Sequence, residues 1–181
     1  MKTVNLFSVL IIITFLNFFA VCGCKNPDNP TADSQPAELT SDEKEIIKNE
    51  ISNKIEEVIK GVKNLDVDAA AKPYSNDADF RIVNPDATVT DFQTMKDSQS
   101  EVFKTLASMD FKTIKQDFTF LTKDLVICTW TGSNDFVLKS GIKMKIDPYV
   151  GTLIFRKKDN EWKIIYAHET TALPVIMETE K

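Results

Sequence analysis

From Phe111 to Thr171 the chain reads as four long strands separated by three short breaks, and this run limits the fold more than any other feature. The segments Phe111 to Leu121, Leu125 to Val137, Ile142 to Arg156 and Glu161 to Thr171 are rich in β-branched and aromatic residues. The breaks are Thr122-Lys123-Asp124, Ser140-Gly141 and Lys157-Lys158-Asp159-Asn160. Connections this short cannot hold the dozen or so residues of a parallel crossover, so successive strands must pair as an antiparallel meander. Asp147-Pro148 interrupts the third segment. Proline has no ladder donor, so a bulge is expected there, of the kind that curves a sheet and re-aims side chains.

Helices come first. Thr40 followed by Glu43 has capping-box spacing, and Ile47, Ile51, Ile55, Val58, Val62 and Leu65 then recur every three or four residues as one apolar stripe. Glu50 with Lys54 and Glu56 with Lys60 stand as i,i+4 pairs on the expected wet face. A short helical piece, Val67 to Lys72, is stopped by Pro73, and Asp79 to Val83 reads as a strand ended by Asn84-Pro85-Asp86. Thr90 and Gln93 form a second box ahead of a helix to about Ser108, with Phe92, Met95, Gln99, Val102, Phe103 and Leu106 on its inner face. Helices followed by a meander is the α+β pattern, with the helices packed on one face of a curved sheet.

The start of the chain is an address. Lys2 is the sole charge before Cys24, and Val4 to Val21 is dominated by Leu, Ile, Val and Phe, which reads as a secretory signal over residues 1–23. Val21-Cys22-Gly23-Cys24, ending that run, resembles the bacterial lipoprotein lipobox, although Cys22 stands where Ala or Ser is commoner. The resemblance implies cleavage after Gly23, diacylglycerol and acyl chains on Cys24, and a membrane partner reached through lipid rather than a protein helix. Lys25 is unlike the inner-membrane retention signal, where Asp is typical, so the expected location is the cell envelope at the outer membrane. Residues 24–39, with Pro27, Pro30 and Pro36 among polar residues, read as a tether rising at roughly 3 Å per residue. The globular domain is expected over 40–173, with a tail at 174–181.

Composition then excludes several classes. Against 22 Lys and Arg stand 27 Asp and Glu, which argues against a nucleic-acid partner. One histidine rules out zinc sites built on two or three imidazoles. Phosphate-cradling glycine loops, calcium loops and a nucleophile elbow are missing from the sequence, so neither a cofactor nor a metal is expected. With Cys22 lost and Cys24 lipidated, Cys128 is left without a disulfide partner, in an apolar strand where a buried hydrophobe is expected rather than a catalytic thiol.

The order of helix, short helix, strand, helix and long meander resembles the nuclear transport factor 2-like cone, which includes the SnoaL-like proteins and is grouped with cystatin-like folds. The sharpest likeness is the last hairpin, Gly151-Thr152-Leu153-Ile154-Phe155-Arg156-Lys157-Lys158-Asp159-Asn160-Glu161-Trp162-Lys163-Ile164-Ile165-Tyr166-Ala167-His168, with its Trp-x-Ile-x-x-x-His ending. Tyr74-Ser75-Asn76-Asp77-Ala78-Asp79-Phe80 is similar to the family's approach to its first strand. The likeness spans Ser41 to Thr171 and implies a pocket between sheet and helices. It does not imply one activity, since this fold hosts isomerases, dehydratases, hydrolases and non-enzymatic modules.

Two-residue alternation puts Trp162, Ile164, Tyr166, His168 and Thr170 on one face of the last strand, and Lys163, Ile165, Ala167 and Glu169 on the other. The resemblance implies that the histidine face lines the cone. Tyr74, Arg81, Trp130, Tyr149, Tyr166 and His168 are therefore the candidate pocket residues. Each has a structural alternative: Trp130 as core, Arg81 on the wet face, His168 as a hydrogen-bonded structural histidine. Asp79 and Asp117 are the carboxylates expected near strands. The expected function is binding of a small, partly apolar ligand in the cone. The alternatives are an acid–base enzyme of the isomerase, dehydratase or hydrolase type in the same pocket, and a protein-interaction module, for instance a homodimer, using the sheet face. Ile142-Lys143-Met144-Lys145-Ile146 suits an exposed sheet edge or a partner surface.

Overall fold

The computed structural model describes residues 38–177. The segment read as a signal, Cys22, Cys24 where lipid is expected, nearly all of the stretch read as a tether and the last residues of the tail lie outside the described residues. Within them no helix is long and apolar enough to cross a membrane.

Helix α1 runs Ser41–Lys63. Its capping box forms as the sequence predicts: the Glu43 amide donates to Thr40 Oγ1 at 3.2 Å, and the Thr40 amide donates to the Glu43 carboxylate at 2.8 Å. Ile47, Ile51, Ile55 and Val62 are buried along the expected stripe. The wet-face pairing differs from expectation. Glu50 turns away from Lys54 to meet Lys157 and the Trp162 indole, and Lys54 pairs with Glu57 and Glu161. Tertiary partners win over the weak i,i+4 attraction. Helix α2, Val67–Ala71, packs so closely on α1 that a Cβ at Gly61 would lie 2.2 Å from the Ala70 nitrogen.

The first strand is shorter than predicted, β1 Arg81–Val83, and pairs with β2, Val89–Thr90. Because Thr90 belongs to β2, the cap of helix α3, Phe92–Thr105, passes to Asp91, whose carboxylate accepts from the Thr94 amide at 2.8 Å. The four long strands follow as β3 Leu106–Thr122, β4 Leu125–Leu138, β5 Lys143–Lys158 and β6 Glu161–Thr171, with a final β7 at Val175–Ile176. They form the predicted antiparallel meander. The β5–β6 turn places Asp159 and Asn160 at φ 50° and 66°, the left-handed geometry of a two-residue hairpin turn that these two residue types tolerate.

The sheet order is β2-β1-β6-β5-β4-β3, with β7 against the start of β5. One pairing is parallel: β1 lies beside β6, so the curved, unclosed sheet is mixed rather than purely antiparallel. The bulge expected at Asp147-Pro148 is present. Gly132 pairs with Tyr149 and Asn134 with Ile146, which leaves one extra residue on β5. Met144 pairs with Phe136 on one side and Ile176 on the other, so Ile142 to Ile146 is not a free edge.

Two clusters hold the layers together. Ile47, Ile51 and Ile55 of α1 pack on Val126, Cys128 and Trp130 of β4, on Phe155 of β5, and on Trp162 and Ile164 of β6. Val62, Ala70, Phe103 and Leu106 form the second cluster, backed by Phe136 and Leu138. Full burial of a side chain such as Phe80 or Phe155 contributes about 1.5–3 kcal/mol. Cys128 is fully buried, and desolvation, aided by the Asp117 charge, pushes its thiol up to about 12.

Candidate functional site

Between the helices and the inner face of the sheet the core leaves an open cavity of about 410 Å³. Strand alternation positions its floor. Tyr149, Gly151 and Leu153 of β5 face inward beside Trp130 of β4 and Phe111 of β3. Gly151 contributes by omission: a Cβ there would meet nothing closer than the Leu153 Cδ2 at 3.9 Å, so space rather than backbone strain accounts for the missing side chain. Gly132 is the opposite case. Its Cβ would lie 2.3 Å from both the Lys112 carbonyl oxygen and the Trp130 ring. The indole lies across that glycine and donates to Thr113 Oγ1 at 2.9 Å.

Phe111, Trp130 and Tyr149 pack edge to face, with ring centroids 5.1–6.0 Å apart. Tyr74 reaches the cavity because its segment runs parallel to β6: the Ser75 amide donates to the Ile164 carbonyl at 2.8 Å, and the Ile164 amide to the Pro73 carbonyl at 2.9 Å. Its ring is fixed edge-on against Phe80 at 5.8 Å. Helix α1 adds an apolar wall with Ile55, Val58 and Ile59, whereas Asn84, Asp86 and Thr88 of the β1–β2 hairpin and Ser98 and Gln99 of α3 add polar groups.

A carboxyl group joins this wall from β6, and it is not one the sequence pointed to. Tyr166 pairs with Ile154 and Ile164 with Phe155, which leaves Ile165 as an extra residue on β6. The bulge breaks the two-residue alternation, so residues beyond it exchange faces. Ala167 is fully buried, Glu169 lines the cavity, and His168 is exposed. Glu169 accepts a hydrogen bond from the Tyr149 hydroxyl at 2.5 Å. Burial pushes its carboxyl above the ordinary carboxylate range, against the opposing pull of the Tyr149 hydroxyl. Burial likewise raises the Tyr149 and Tyr74 phenols, with the Glu169 charge as a further cause in both.

Of the six candidate pocket residues, Tyr74, Trp130 and Tyr149 meet at the cavity and Arg81, Tyr166 and His168 do not. Arg81 is exposed and its guanidinium donates to the Ala78 carbonyl at 2.8 Å, which caps its own loop. Tyr166 is half-buried, at the bulge and outside the cavity. Asp79 and Asp117 are exposed, and Asp117 pairs with Lys115 at 2.9 Å. Glu169, Phe111 and the hairpin residues were missed. Phe111 alone carried a signal, since it alternates in phase with Met109 at the start of a strand. A second depression, lined by Lys72, Lys96, Lys158 and Lys163 with acidic neighbours, is polar and partly closed by ion pairs. The aromatic cavity is the better candidate because it combines apolar walls with a few converging polar groups.

Neither protein-family models nor curated protein sequences match this chain. Solved structures do. A hexachlorocyclohexane dehydrochlorinase, LinA type 2, is similar over 77% of this chain and 94% of its own, at 12% identity and a TM-score of 0.67. The hexachlorocyclohexane dehydrochlorinase LinA-type3 from Novosphingobium barchaimii is similar over 76% of this chain and 94% of its own, at 12% identity and a TM-score of 0.65. A nuclear transport factor 2-like superfamily protein from Salmonella enterica serovar Typhimurium is similar over 72% and 94%, at 11% identity and a TM-score of 0.65. Helices packed on a curved, unclosed sheet, shared with these proteins over most of the described chain, give it the nuclear transport factor 2-like fold.

Proposed function

We propose that the cone binds a small, partly apolar molecule in the cavity between its sheet and helices, and that the domain works in the cell envelope, held to the outer membrane by lipid on Cys24. One observation carries the binding reading. The cone is not filled by its own side chains: about 410 Å³ stays open at the place where an aromatic cluster meets a carboxyl and a polar rim. The lipobox-like Val21-Cys22-Gly23-Cys24 and the proline-rich stretch after it support the anchored location. Native mass spectrometry of the protein purified from its own cells tests the binding reading. The expected result is a non-covalent adduct of small mass that is lost on denaturation. A bare mass, together with no adduct from a panel of aromatic small molecules, would sink it.

The Glu169–Tyr149 pair favours a second reading. A carboxyl raised by burial and hydrogen-bonded to a phenol is a suitable base for taking a proton from a bound carbon acid, with the phenol as donor. Two of the fold neighbours are named as dehydrochlorinases. In this reading the ligand is a substrate, and Glu169 rather than Asp79 or His168 is the acid–base group, since neither of those lines the cavity.

A further inference from the structure

We infer that the cavity selects organic cations, an ammonium group carried on an apolar or aromatic body, with Glu169 as the counter-charge and the Phe111–Trp130–Tyr149 cluster as the π-surface. The inference rests on the reading of the cavity as a ligand site and narrows it to one ligand chemistry.

Charge is distributed one-sidedly around the space. Glu169 and Asp86 line it, and among the described residues no lysine, arginine or histidine does. Glu169 takes part in no ion pair among the described residues. Its hydrogen-bond partner there is the Tyr149 hydroxyl, a neutral donor that leaves the charge uncompensated. A half-buried carboxylate in that state is costly, and a cation entering the cavity removes the cost by pairing with it. The aromatic floor acts in the same direction, because the faces of indole and phenol rings attract cations, most strongly where water is excluded. An anion gains nothing here: it finds two carboxyl groups and no positive partner.

The same geometry makes binding depend on pH. The titratable groups that share the cavity with Glu169 are Tyr149 from β5, Tyr74 from the segment after α2, and Asp86 from the β1–β2 turn; α1, α3, β3 and β4 contribute no charged group to its lining. Burial favours the neutral form of Glu169, so a cation binds with release of its proton, and affinity rises with pH until the ligand amine itself loses its charge.

Isothermal titration of the full-length protein with three probes of similar shape tests this: phenethylamine as the cation, 2-phenylethanol as the neutral form and phenylacetate as the anion. Phenethylamine is expected to bind at least about tenfold more tightly than 2-phenylethanol, with phenylacetate weaker than both. Its apparent enthalpy should change with the ionisation enthalpy of the buffer, which reports the released proton. Glu169→Gln should remove the preference for the amine while 2-phenylethanol still binds, and that retained binding shows that the variant is folded. Equal affinities for the amine and the alcohol, or a preference that survives Glu169→Gln, would overturn the cation assignment and leave the pocket reading standing. Failure of all three probes to bind would count against both.

Discussion

Two glycines on neighbouring strands show how much one residue decides here. At Gly132 the fold has used the missing side chain, because the Trp130 indole and the Lys112 carbonyl both lie where a Cβ would go. Gly132→Ala forces backbone and indole apart and is expected to cost about 1–3 kcal/mol, read as a lower denaturation midpoint with altered tryptophan emission. Gly151 leaves its space empty. Gly151→Leu is expected to keep the melting temperature within a few degrees while filling the cavity floor, so that any ligand of the parent protein no longer binds in calorimetry. Loss of the fold in that variant would show the space to be part of the core. Glu169 has a pH signature of its own. Its carboxyl is raised in the folded state, so the folded protein holds that proton more tightly than the unfolded chain. Stability from this group is therefore present at low pH and declines as pH rises from the ordinary glutamate range through the raised value. Gln at 169 has no proton to lose and can still accept from Tyr149. Melting curves should show Glu169→Gln matching the parent near pH 4 and melting a few degrees higher near pH 8.

At the scale of elements, Glu50 ties helix α1 to the far end of the sheet. Its carboxylate accepts from Lys157 Nζ at 2.8 Å and from the Trp162 indole at 2.7 Å, and both hold its titration below the ordinary carboxylate range. Trp162 is 2% exposed, so Glu50→Ala leaves a buried N–H without an acceptor and should cost about 1–3 kcal/mol in urea denaturation. Glu50→Gln keeps an acceptor and loses a partly exposed ion pair, a change of about 1 kcal/mol or less. Equal losses in the two variants would assign the energy to the charge rather than to the indole. The helix periodicity placed Glu50 on a wet face, where it is half-buried, and was silent about this partner, because a contact 112 residues away in sequence leaves no local mark. The same division runs through the fold. Strands, turns, the Thr40 cap and the Asp147-Pro148 bulge were legible because proline, glycine, Asn/Asp pairs and apolar period act locally. The Ile165 bulge was not legible. Nothing in Lys163-Ile164-Ile165-Tyr166-Ala167 announces an extra residue, and β6 meets two different parallel partners on either side of it, Tyr74 before and Arg81–Val83 after. That single residue turned His168 out and Glu169 in, so the two candidates on β6 fall outside the cavity although the strand itself was correctly placed.

For the molecule as a whole, the question is whether the cone needs its attachment. Helix α1 starts at a completed capping box on Thr40, and the buried residues of both hydrophobic clusters belong to α1 through β6, with Leu39 just ahead of the cap packed against the first. Folding and binding are therefore expected to be independent of what precedes Leu39, while location depends on it. The proposed anchor makes this testable in one variant. Each buried methylene of an acyl chain contributes about 0.8 kcal/mol to membrane binding, a single chain holds only marginally, and two or more hold firmly, so removing the thiol that carries them removes retention altogether. In the full chain, Cys24→Ser should abolish incorporation of labelled palmitate and move the protein from the membrane to the soluble fraction. Its melting temperature should stay within about a degree of the lipidated protein's, and its ligand affinity should be unchanged. Unaltered membrane retention would refute lipidation at Cys24. A soluble variant with a lower melting temperature would instead show that the anchored segment contributes to the cone, contrary to a core that closes on its own residues.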